Sequence, residues 1–153
     1  MEFNEPEADH AGLRAWMDGF GAEVEALDFT KARARFDPRV LTFSTFMNVV
    51  SGIDQFENEQ WRKVWPSASH FRWHTENMRS LLSPDRLMAF VALTWGSTGY
   101  PEDGTAFDRP GRATMVLVRD GLTAPWRGIH AHVSLRRGVP QSSHGKRLAK
   151  GQA

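Results

Sequence analysis

The order of patterns along this chain of 153 residues predicts an α+β fold, with helices packed on one face of a run of antiparallel strands. Three observations carry that prediction. Apolar residues in the first third recur at spacings of three and four, the period of a one-sided helix. After Pro66 the period changes to the alternation of extended chain. Near the end, Arg112-Ala-Thr114-Met-Val-Leu-Val-Arg-Asp-Gly and Trp126-Arg-Gly-Ile-His130-Ala-His132-Val-Ser134 read as two neighbouring strands that alternate polar and apolar side chains.

Leu13, Trp16, Met17, Phe20, Val24 and Leu27 form one apolar stripe, which predicts a first helix over Ala8 to Leu27. Asp28 is placed to cap a second helix, Phe29 to Phe36, which Asp37-Pro38 stops, because the residue before proline is pushed out of the α region. Val40 to Phe43 has the β-branched and aromatic content of a short strand. Ser51-Gly52 makes a turn, and a third helix follows over Asp54 to Val64, ended by Pro66. Phe71 to Leu82 and Arg86 to Trp95 are strands joined by Ser83-Pro84-Asp85. Gly96 to Pro110, rich in Gly, Pro, Ser and Asp, reads as a long mobile loop. Gly111 to Arg119 and Trp126 to Arg136 close a second hairpin around Asp120-Gly121. One domain over residues 8–137 is expected, with a polar, disordered tail over 138–153. Long curved strands against a few helices enclose a conical pocket at the boundary between helices and sheet.

Composition narrows the function classes. A formal net charge of +1 gives no strong pull toward nucleic acid or a membrane surface. Lys146, Arg147 and Lys150 in the tail have no base-stacking or groove-reading element beside them, so no nucleic-acid partner is expected. With no cysteine there is no disulfide, thiolate nucleophile or cysteine metal site. The acidic start, Met1-Glu-Phe-Asn-Glu-Pro-Glu, lacks a signal-peptide h-region, and the longest apolar run, Leu87 to Leu93, is too short to span a bilayer. A cytoplasmic protein with no membrane partner is the expectation. The six tryptophans and ten phenylalanines suggest a lined cavity, a subunit interface, or both.

Period two groups the candidate site residues into sets that share a strand face. Arg112 and Thr114 form one set, with a planar fork and a hydroxyl suited to an anionic or carbonyl oxygen; a salt bridge across the sheet is the alternative. His130 and His132 form a second. They are candidate general acids or bases near neutral pH, and equally candidates for structural hydrogen bonds or a dimer contact. Their spacing could chelate a metal, but the sequence places no acid to complete the set, so no metal and no cofactor are expected. Arg72 and His74 belong to a polar row with His70 and Glu76, either solvated or at a pocket rim. Trp61, Trp65 and Trp95 would wall an apolar ligand site, or pack a core.

This order of elements, with Arg112-x-Thr114-x-Val116-Leu117, a short turn, then Trp126-x-x-x-His130-x-His132-x-Ser134, resembles the nuclear transport factor 2-like superfamily. Phe71-Arg-Trp73 before a strand and Gly52 opening the third helix also fit. The closest resemblance is to SnoaL-like domains, relatives of polyketide cyclases and ketosteroid isomerase. The association domain of calcium/calmodulin-dependent kinase II is similar too. The resemblance implies a cone-shaped, curved antiparallel sheet packed against three helices, the cystatin-like α+β roll. It also implies a homodimer packed through the outer face of the sheet. It admits two functions: a small-molecule-binding protein or cofactor-free isomerase, cyclase or dehydratase with a small apolar or weakly acidic ligand, or an association module whose pocket is vestigial. Departures bear on both. Ketosteroid isomerase-like enzymes use an aspartate base after the first strand and a tyrosine with an acid as oxyanion donors. Here that stretch, Ser44 to Val50, holds no acid, and the single tyrosine, Tyr100, falls in the expected loop. Ala92 and Thr114 stand where the kinase association domain has two pocket arginines.

Overall fold

The computed structural model describes residues 6–45 and 47–145. Helix α1, Glu7–Ala26, buries Leu13, Trp16, Met17, Phe20 and Val24, the stripe expected from the sequence. Glu7 and Asp9 sit in its first turn, where the helix dipole favours negative charge. Asp28 caps α2, Phe29–Ala34, by accepting the Lys31 N–H at 3.1 Å. This helix ends two residues before the expected Phe36, and strand β1, Phe36–Phe43, begins at once. The extended bias of the residue before Pro38 therefore appears inside a strand rather than as a stop. Pro38 is tolerated because it is exposed and lies where the pairing register shifts between Phe36 and Leu41. Strand β2, Val49–Ser51, pairs with β1 and leads into Gly52, whose φ of 86° opens the third helix.

That helix runs over residues 53–67 and changes winding as it goes. An α turn at Ile53–Gln55 gives way to a π-helical stretch at Phe56–Trp61, returns to α at Arg62–Val64, and tightens to a 3₁₀ turn at Trp65–Ser67. Pro66 was expected to end the helix; it sits instead within this final turn.

The sheet also departs from the expected strand limits. The stretch read as one strand, Phe71 to Leu82, is two: β3, Ser69–Trp73, and β4, Arg79–Leu82, separated by a 3₁₀ turn at Thr75–Asn77. Both pair with β5, Met88–Gly99. Trp73 lies opposite Trp95 and Arg79 opposite Ala92, so this side has more chain than β5 can pair, and the surplus folds out as the turn. The Thr75 hydroxyl pins that turn to α1 by donating to Asp18 at 2.7 Å.

The expected long loop is mostly ladder. Strand β5 runs on to Gly99, β6 is Phe107–Asp108, and β7 is Gly111–Val118. One unbroken antiparallel register holds from Met88↔Val118 through Trp95↔Gly111 to Gly99↔Phe107. Ser97 and Arg109 exchange both backbone hydrogen bonds within it. Only residues 100–106 remain as a connection. Strand β8, Arg127–Leu135, pairs antiparallel with β7 and parallel with β1, so the sheet is mixed, in the order β2-β1-β8-β7-β5-β3. Residues 138–145 lie along the structure: the Ser143 hydroxyl donates to the Ser67 carbonyl and accepts the Tyr100 N–H. The rest of the tail expected to be disordered, 146–153 with Lys146, Arg147 and Lys150, lies outside the described residues. Among the described residues no helix is long and apolar enough to cross a membrane.

A buried ionic knot fastens α1 to the far end of the sheet. Asp9 accepts from Arg119 at 2.9 Å and from Arg86 at 2.6 Å. Arg119 also donates to the carbonyls of Arg86 and Leu122, and its guanidinium lies 4.2 Å over the Trp126 ring. Trp16 completes the tie by donating to the Trp126 carbonyl at 3.1 Å. The hydrogen bond from Arg86, helped by Arg119 and opposed by burial, holds the Asp9 carboxyl below its ordinary pKa.

Two predictions follow from these contacts. The lowered Asp9 pKa contributes stability above the unfolded carboxylate value and loses it as pH falls through the folded one. Asp9→Asn is therefore expected to cost about 2–4 kcal/mol near neutrality, a difference that shrinks below about pH 4. Urea unfolding of both proteins at several pH values checks this. A Cβ on Gly111 would overlap the Trp95 ring and the Ser134 carbonyl. Gly111→Ala should thus destabilise by about 1–3 kcal/mol through overpacking, and the same unfolding measurement reads it.

Candidate functional site

Where α1 and the third helix cross the concave face of the sheet, the structure holds a partly open cavity of about 160 Å³. Its apolar wall is aromatic. Phe20 comes from α1, Phe56, Trp61 and Trp65 from the third helix, Phe71 and Trp73 from β3, and Trp95 from β5. The π winding shapes this wall, because five residues per hydrogen-bonded step bring Phe56 and Trp61 to one side, their rings 4.8 Å apart. Trp61 stacks on Trp65 at 4.7 Å, and Trp65 in turn on Phe29 at 5.3 Å. Phe71 bridges Trp73 and Trp95 at 5.0 and 5.6 Å. Met115, Ala131 and Val133 form the floor.

The polar groups at this cavity are few and incompletely paired. Arg109 is 4% exposed, yet no carboxylate pairs with it among the described residues, and its Nε has no hydrogen-bond partner. Its nearest compensation is the Trp95 ring, 5.7 Å from the guanidinium carbon. Burial lowers the Arg109 pKa from its usual value, although an arginine stays protonated at any ordinary pH. The Gln60 Oε1 acceptor and the Trp73 Nε1 donor are likewise buried without partners. The Ser97 hydroxyl is spent on the Arg109 carbonyl at 3.4 Å. Glu25 lines the cavity too, but its carboxylate accepts the backbone N–H groups of His70 and Phe71 at 3.0 and 2.8 Å. His70 has a φ of 55°, a strained value for a non-glycine residue. Ser44 and Thr45 line the cavity from the stretch where an isomerase-like aspartate would stand.

The residues singled out from the sequence divide between the two faces of the sheet. Trp61, Trp65 and Trp95 line the cavity. The polar residues expected to converge with them do not. Trp95 points inward and pairs with Gly111, so Gly111, Ala113, Met115 and Leu117 face inward, and Arg112 and Thr114 face outward. Thr114 pairs with His132 and Val116 with His130, so both histidines also lie on the outer face. Arg112, His130 and His132 each have a local partner. Arg112 donates to the Ser134 hydroxyl at 3.4 Å, and His130 Nδ1 meets the Leu41 carbonyl at 2.8 Å. His132 packs on Phe43 at 5.3 Å. Arg72 and His74 are on the outer side as well: Arg72 ion-pairs with Glu76 at 2.8 Å, and His74 bonds Thr94 Oγ1 at 2.8 Å. Among the described residues no group of three His, Asp or Glu side chains could hold a metal ion.

The sequence does not single out Arg109, which falls in a stretch that reads as loop, or Gln60, a polar residue on a helix whose apolar members mark its inward face. A signal for Arg109 was present. The inward row Leu117, Met115, Ala113, Gly111 reaches Arg109 after one more step of two, provided the strand continues past Pro110. Gln60 falls on the α period of Ile53, Phe56 and Val64, but a polar side chain among apolar ones gives no signal of burial on its own.

No protein-family model matches the sequence, and no curated protein matches it. Solved structures do. The structure is similar to a ketosteroid isomerase-like protein from Erwinia carotovora atroseptica, with a TM-score of 0.70 and 13% identity over 86% of this chain and 98% of that one. It is similar to a nuclear transport factor 2-like superfamily protein from Salmonella enterica, at TM-score 0.69 and 14% identity, covering 84% and 91% of the two chains. The association domain of C. elegans calcium/calmodulin-dependent kinase II aligns at TM-score 0.65 and 15% identity, covering 84% and 96%. The chain therefore has the nuclear transport factor 2-like fold. That fold carries several unrelated roles, so it leaves the activity to the site.

Thr42, buried in β1, supplies an internal control for the unpaired groups, because its hydroxyl also lacks a partner and it does not line the cavity. Thr42→Val removes that group at constant shape. It is expected to leave stability unchanged or raise it by about 1 kcal/mol in a thermal or urea melt.

Proposed function

We propose that this chain is a small-molecule-binding protein of the SnoaL-like type, taking a single-ring or similarly sized organic ligand into the aromatic cavity. The observation that carries the reading is the coexistence, in one apolar space, of an aromatic wall and buried polar atoms with no protein partner. A packed, vestigial pocket would spend its polar groups internally. The volume is close to that of an engineered cavity known to bind benzene, about 150 Å³. Binding is favoured over proton-transfer catalysis because the histidines that would move a proton lie on the opposite face, and Glu25 already accepts two backbone hydrogen bonds.

The outer face supports the second half of the reading, self-association into a homodimer. One cross-strand row runs Leu81, Phe90, Val116, His130, Leu41, and the next runs Arg79, Ala92, Thr114, His132, Phe43. Leu41, Phe43, Leu81, Met88 and Phe90 are exposed large apolar side chains on that face. A contiguous patch of this kind calls for a partner. The sequence motif around Arg112 and His132 would then belong to the association surface.

Benzoate, benzamide and benzyl alcohol at millimolar concentration are the first probes, read by thermal shift and saturation-transfer NMR. At least one is expected to stabilise the protein. Ala131→Phe, which places a ring in the cavity floor, should abolish the response. Absence of binding by all three, or an unchanged response in the filled variant, would overturn the ligand reading. For the dimer, sedimentation equilibrium should find a dimer that Phe90→Asp converts to monomer. A wild-type monomer would sink that part.

A further inference from the structure

Arg109 narrows the ligand class, on the premise that the cavity binds a small molecule. A buried cation in an apolar space is costly unless an opposite charge and hydrogen bonds compensate it. Strand pairing fixes Arg109 there: its backbone is locked to Ser97 by two hydrogen bonds, and Ser97 is buried between the inward-facing Trp95 and Gly99. Among the described residues no acid pairs with it. Glu25, the carboxylate that lines the same cavity, is engaged by His70 and Phe71. The Trp95 face compensates only in part.

We infer that the site takes an unsaturated or aromatic monocarboxylate, with the carboxylate on the Arg109 fork and the ring between the tryptophans. The guanidinium presents parallel N–H donors that match two coplanar oxygens, which a carboxylate supplies and a neutral amide does not. One cation balances a monoanion. A phosphate dianion would bring a second charge with no basic group in the lining to meet it. The ring belongs to the aromatic wall, where Trp61 stacks on Trp65 at 4.7 Å and Phe71 lies tilted on Trp95 at 5.6 Å. The two remaining unpaired groups add a further mark. Gln60 Oε1 requires a donor and Trp73 Nε1 an acceptor, and a hydroxyl can serve as either. A hydroxylated aromatic acid therefore fits the polar set better than the unsubstituted acid.

Isothermal titration of wild type, Arg109→Met and Arg109→Lys with benzoate, benzamide and the three hydroxybenzoate isomers tests this. Wild type should prefer benzoate to benzamide by roughly tenfold or more, as expected of a charge-assisted hydrogen bond. Arg109→Met should erase that preference while benzamide binding persists, and its ligand-free melting temperature should equal or exceed that of wild type, because an uncompensated charge has gone. Arg109→Lys keeps the charge without the fork and should weaken benzoate several-fold. It serves alone if the methionine variant does not fold. One hydroxybenzoate isomer should outbind benzoate, and Gln60→Met should remove that gain. Equal affinity of wild type for benzoate and benzamide would overturn the inference while leaving the small-molecule reading standing. A benzoate preference that survives both arginine variants would overturn it too. If neither probe binds, the small-molecule reading falls and takes this inference with it.

Discussion

The register of β5 against β6 and β7 is the constraint on which the rest of the molecule depends. It holds without a slip from Met88↔Val118 to Gly99↔Phe107. Side chains alternate with period two, so this one pairing assigns every residue of three strands to a face. It sends Trp95, Ser97, Arg109, Ala113 and Met115 toward the helices, and it sends Thr94, Arg112 and Thr114 away from them. Strand β8, paired to β7, inherits the assignment and carries its two histidines outward. A shift of one residue would exchange the cavity lining for the outer surface. The register is pinned at its tightest point by Trp95 over Gly111, where no other residue leaves room for the indole.

The helices convert that curved sheet into an enclosure. Helix α1 is held at one end by the Asp9 knot with Arg86 and Arg119, and near its C-terminal end by the Glu25 carboxylate, which gathers the N–H groups of His70 and Phe71. Both ties are long-range and both reach the sheet, so they fix where the helix lies across it. The third helix supplies the opposite wall, and its π stretch brings Phe56 and Trp61, five residues apart, into ring contact at 4.8 Å.

That enclosure is not optimised for stability. Among the described residues four buried polar atoms lack partners, on Thr42, Gln60, Trp73 and Arg109, and three of those residues line the same space. Each carries a desolvation cost of about 1–3 kcal/mol, larger for the charged one. This concentration of costs in one place is what supports the proposed ligand site.

The sequence by itself determined the class and much of the plan. The helical stripe of α1, the Asp28 cap, the turn at Gly52 and the final hairpin were legible, because periodicity, capping and turn chemistry are local. Which residues travel together was legible too: Arg112 with Thr114, His130 with His132. What only the tertiary structure decided was which of those groups faces the cavity, since strand alternation has two phases and nothing local selects one. The same limit hid Arg109. Gly, Pro and Asp in 96–110 read as loop, whereas pairing with a neighbouring strand, which no local pattern reports, kept the ladder going to Gly99 and carried an arginine into the core.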